Sequence, residues 1–103
     1  MLEGKGKMNI YELAILHDLE LTIKHRNVRE LGNRKLAPFY CIFNYSSTKR
    51  DTFLEGTFGE GQTPQKAIDN YVLKLRGKTL VVSKGRVPRI ELNIPETLVG
   101  GLV

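Results

Sequence analysis

Residues 59 to 77 constrain this chain more than any other stretch. Gly59-Glu60-Gly61 interrupts an alternating run, Thr63 then offers a hydroxyl as helix cap, and Pro64 takes the first helical position, where its missing N–H is no loss. Ala67, Ile68, Tyr71, Val72 and Leu75 recur at helical spacing, and Gly77 supplies a stop just after Arg76. The pattern predicts a helix from Pro64 to Arg76 with one apolar stripe. Such a stripe has to be buried against another layer, so the rest of the chain must supply one.

What it supplies is mostly strand. Leu19, Leu21 and Ile23 alternate with Glu20, Thr22 and Lys24; Pro38 to Tyr45 is rich in aromatic and β-branched residues; and Thr52 to Phe58 alternates again after the polar Ser46 to Asp51. The last two runs predict an antiparallel hairpin. Thr79 to Val82 and then Ile90, Leu92 and Ile94 add further strand character, up to Pro95. Upstream, Asn9 and Glu12 have the spacing of a capping pair, and Ile10, Leu13 and Ala14 with Leu16 or His17 predict a short helix ending near Asp18. The expected fold is α+β, in the order α-β-β-β-α-β with a further final strand left open. It is a small antiparallel sheet with both helices on one face. Either Tyr40 and Ile42 or the alternate set Phe39, Cys41 and Phe43 must then lie on the open face. Residues 1–7 read as a disordered leader, 8–96 as a single domain suited to a chain of 103 residues, and 97–103 as a tail.

Composition narrows the function classes. No run approaches the ~18 to 20 apolar residues of a membrane span, and the polar N-terminus lacks a secretory signal, so no membrane partner and a cytoplasmic location are expected. Cys41 is the only cysteine, which rules out an internal disulfide or a thiolate cage. His17, Asp18, His25 and Cys41 show no metal-binding spacing, and Cys41 reads as a core or sheet residue rather than a nucleophile. Glu60, Asp69 and His17 show no paired acid and base geometry. No catalytic residue, metal or cofactor is therefore expected.

Gly77-Lys78-Thr79 looks like the end of a phosphate loop, but the motif needs glycine where Val72 stands, and here the tripeptide closes a helix. Gly59 to Thr63 reads either as an anion cradle or as a tight turn into the helix, with Glu60 favouring the turn. Sixteen Lys and Arg against eleven Asp and Glu give a net charge of +5, which favours anionic partners. The basic residues gather at 24–35, 49–50, 74–78 and 84–89, mostly in expected loops. The candidate binding residues are Arg26, Arg29, Arg34, Lys35, Lys49, Arg50, Lys66, Lys84, Arg86 and Arg89 for phosphate contact, with Tyr40 and Phe53 for docking on protein.

Phe58 to Tyr71, Leu75 to Val82, and Ile94-Pro95 together resemble small proteins encoded in phages and prophages of Gram-positive bacteria, a group that brings no assigned activity. The helix order also looks like that of a double-stranded RNA-binding domain. Of the paired lysines that such a domain carries at its second helix start, only Lys66 is matched, Gln65 standing in the other place. The turn Gly61, Thr63, Ala67 is similar to that of HicB-type antitoxins. The phage resemblance implies a non-enzymatic accessory protein that binds stoichiometrically to a host protein or nucleoprotein complex, such as a CRISPR effector nuclease. The alternative is a regulatory domain that binds RNA or DNA through its basic loops. The oligomeric state is left open.

Overall fold

The computed structural model describes residues 7–27, 36–85 and 88–101. The fold is α+β: α1 (Ile10–His17), β1 (Leu21–His25), β2 (Phe39–Phe43), β3 (Ser46–Arg50), β4 (Phe53–Glu55), β5 (Gly59–Gly61), α2 (Pro64–Leu75), β6 (Thr79–Val82) and β7 (Ile90–Asn93). The strands form two antiparallel sheets where the sequence suggested one, in the orders β1-β2-β5 and β4-β3-β6-β7.

Both helices begin as their sequences require. The Asn9 side chain accepts from the Glu12 N–H while the Glu12 carboxylate accepts from the Asn9 N–H, each at 2.9 Å. Thr63 caps α2 by accepting from the Lys66 N–H at 3.1 Å. All of Ala67, Ile68, Tyr71, Val72 and Leu75 are buried. They meet Cys41 and Phe43 of the first sheet, Leu80 and Val82 of the second, Ile10 and Leu13 of α1, and Leu98 in one core. Cys41 and Phe43 are thus inside, which leaves Tyr40 and Ile42 on the outer face.

The sheets divide at Asn44-Tyr45. The Asn44 N–H still bonds Glu20 in the first sheet at 2.8 Å, whereas the Tyr45 carbonyl accepts from Ser83, beside the second sheet, at 3.0 Å. Tyr45 has φ 62°, a left-handed value uncommon outside glycine, and this bend lets one long strand serve both sheets. Ser46 to Asp51, expected as a hairpin loop, is therefore mainly β3. The turn is Asp51-Thr52, and the expected strand Thr52 to Phe58 becomes β4 plus the approach to β5. Polar residues tolerate a strand here because alternate positions face solvent, while the buried Thr48 finds the Thr57 hydroxyl at 2.6 Å.

At the division, Phe43 has outrun β5, so its inward N–H has no strand partner. It donates instead to the Tyr71 hydroxyl at 3.0 Å. Gly59 and Gly61, read as a break, are strand residues because α2 lies directly on them: a Cβ on Gly59 would collide with the backbone at Ala67 and Tyr71, and one on Gly61 would come within 2.6 Å of the Ala67 nitrogen. Beyond Pro95 the chain returns to the core. Leu98 is buried, its carbonyl accepts from Arg76, and Val99 exchanges backbone bonds with Met8 and Ile10 beside the start of α1. The compact unit thus reaches past residue 96.

Candidate functional site

Members of three of the four basic groups identified in the sequence, Lys49 with Arg50, Lys78, and Arg89, come together on the outer part of the second sheet. β3 pairs with β6 only from Ser46 to Thr48, after which Lys49 and Arg50 continue with β4 alone as a two-stranded ribbon. The fork between ribbon and sheet is a concavity of about 200 Å³ lined by Thr48, Lys49, Arg50, Glu55 and Lys78. Arg50 bonds Glu55 at 3.0 Å, and Lys49 and Arg89 both bond Glu91, at 2.9 and 2.8 Å. Lys78 has no side-chain partner among the described residues, so the fork keeps a positive excess. The two cations hold the exposed Glu91 carboxyl below its usual pKa, mainly through the Lys49 and Arg89 hydrogen bonds.

The same ribbon carries the most conspicuous apolar exposure in the sheets. Phe53 is 70% exposed and Leu54, its neighbour on the opposite face, 49%. Neither contributes to the core cluster. The turn between the strands places Asp51 at φ 54°, a conformation that Asp tolerates better than most residues. Phe53 stands out in the sequence; Leu54 and Lys78 do not, because the exposure of Leu54 and the place of Lys78 beside Arg50 follow from strand pairing rather than from local pattern.

The outer face of the first sheet has a different character. Arg26, expected to reach phosphate, is only 9% exposed. Its guanidinium bonds Glu60 at 2.6 Å and the Ala37 carbonyl at 2.7 Å, and it lies 5.0 Å from the ring centre of Tyr40. Charge pairing, a carbonyl and an aromatic face together explain why a cation rests there. Tyr40 also meets Phe58 edge-on, and with Ile42 these residues enclose a shallow groove of about 150 Å³.

The remaining candidates are dispersed. Lys66 is exposed on the first turn of α2, and Lys84 donates to the Asp18 carbonyl at 2.9 Å beside an apolar cavity of about 420 Å³ that includes His17, Pro88 and Ile90. Arg29, Arg34, Lys35 and Arg86 lie outside the described residues, as does most of the expected basic loop Asn27 to Leu36. Burial pushes the Cys41 thiol up to about 12, which keeps it protonated and poorly nucleophilic. Glu60, Asp69 and His17 occupy separate places: against Arg26, beside Gln65, and at the end of α1. Among the described residues no group of three His, Cys, Asp or Glu is arranged to hold a metal, and no helix is long and apolar enough to cross a membrane. Comparison with protein-family models finds no match, and comparisons with curated proteins and with solved structures find no significant match.

Proposed function

We propose that this protein is a phage-type accessory protein that acts by stoichiometric binding rather than by catalysis, and that it docks on a host protein or nucleoprotein complex through the β3–β4 ribbon. The observation that carries this reading is the exposure of Phe53 and Leu54 on a ribbon that extends past the core, with Arg50 and Lys78 beside it. Apolar side chains on opposite faces of a projecting ribbon suit insertion into an apolar cleft with an acidic rim. A CRISPR effector nuclease is the first complex to test, on the strength of the resemblance of residues 58–82 to phage-encoded proteins.

The neutralisation of the basic residues also favours protein over bare phosphate. Arg26, Lys49, Arg50 and Arg89 are each engaged by a glutamate, and a phosphate backbone would have to displace those carboxylates. The fork around Lys78 supports the alternative, direct binding of RNA or DNA, because it keeps a surplus of cations in one concavity.

The test compares wild type with Phe53→Ser/Leu54→Ser and with Arg50→Ala/Lys78→Ala in capture from bacterial lysate with and without nuclease treatment and in direct inhibition of a purified effector nuclease. The apolar pair should change folding stability by less than ~1 kcal/mol while abolishing capture and inhibition. Capture of nucleic acid alone, lost steeply as salt rises and sensitive only to the charge variant, would replace the docking reading with the alternative.

A further inference from the structure

We propose that two copies of this chain pair through β1, joining their first sheets into one continuous sheet across a two-fold axis. Among the described residues β1 is an edge strand, with β2 on one side only. The Asn44 N–H bonds Glu20, and the Arg26 N–H bonds Pro38, so in this antiparallel register the even-numbered residues of β1 bond to β2. Leu21, Ile23 and His25 therefore turn their N–H and C=O groups outward, and among the described residues no backbone partner meets them on that side. Ile23, on the inner face beyond the cover of α2, is 36% exposed.

A second β1 fits this edge without conflict. Antiparallel pairing centred on Ile23 places Ile23 opposite its copy, Leu21 opposite His25, and Thr22 opposite Lys24, so the outward residues bond each other and no like charges meet. The other edges fit themselves less well. β4 spans only Phe53–Glu55. In β5 the outward residue is Glu60, because the flanking glycines bond β2, and two-fold pairing there would oppose two carboxylates. In β7 the bond from the Ile94 N–H to Lys78 sets a parity that turns Glu91 outward, and its carboxylate is already engaged by Lys49 and Arg89 at that edge. Lys24 protects the edge against unrelated strands without blocking its own copy, since it faces Thr22 there.

The experiment is analytical ultracentrifugation of the full chain across a concentration series, with circular dichroism to verify folding. Wild type should show a reversible monomer–dimer equilibrium. Thr22→Glu, which sets a carboxylate opposite Lys24 of the other copy, should lower the dissociation constant several-fold, and Thr22→Lys should raise it, both effects shrinking with salt. Ile23→Pro removes an outward N–H while leaving the bonds to β2, and should abolish association. Should the proline variant fail to fold, the opposed Thr22 pair still decides. A monomer at every concentration, or a dimer with the same dissociation constant in both Thr22 variants, overturns the proposal.

Discussion

The seam between α2 and β5 and the ribbon of β3 and β4 are both built from sequence that does not look like strand, and they use it for opposite ends. At the seam, glycines remove side chains so that helix and strand backbones touch, and the whole apolar stripe of α2 is buried. On the ribbon, polar residues carry the ladder, and the large apolar side chains point away from the core. In the first case packing dictates each residue. In the second it dictates few, so Phe53 and Leu54 call for an explanation outside the fold itself.

This contrast can be broken most directly at Gly59. Gly59→Ala drives a Cβ into the α2 backbone, which cannot rotate aside, and should cost about 3 kcal/mol or more in denaturant unfolding. A change as small as that expected for the Phe53 and Leu54 pair would erase the distinction between seam and ribbon. Tyr71→Phe is a finer probe of the seam, because it keeps the ring and strands the buried Phe43 N–H. The expected loss is ~1 to 3 kcal/mol, read from the same unfolding curves.

The smallest effect belongs to the second sheet's exposed Glu91. Its carboxyl titrates lower in the folded chain than in the unfolded one, so its contribution is present above the ordinary carboxylate range and is lost as pH falls through the lowered folded value. Melting temperature should therefore drop slightly more between pH 7 and about pH 3 in wild type than in Glu91→Gln. Equal drops would mean that the Lys49–Glu91–Arg89 cluster adds nothing at neutral pH.

What could be read from the sequence was what local chemistry decides. Thr63-Pro64, the α2 stripe and the Asn9–Glu12 box each specify their structure within a few residues, and each is present. β3 looks like a loop in the sequence because Ser46 to Arg50 lacks apolar alternation, and its strand state depends on β6, some thirty positions away. Gly59 and Gly61 punctuate a sequence equally well as a turn or as a close contact; only the helix laid over them distinguishes the two. The proposed docking surface is legible in part. Phe53 and the basic pair Lys49-Arg50 stood out, whereas Arg26 looked free because its partner Glu60 is remote in sequence, and Lys78 became part of the fork only through sheet register.

The pairing of Asn9 with Val99 carries a consequence for how the chain comes to be folded. One segment is anchored by another made about ninety residues later, and Leu98 enters the core to which Ile10 and Leu13 belong. While the protein is still emerging from the ribosome, α1 can be capped but cannot be locked in place. The contacts with Leu98 and Val99 can form only once those residues have been made, and until then part of the apolar side of α1 lacks its cover.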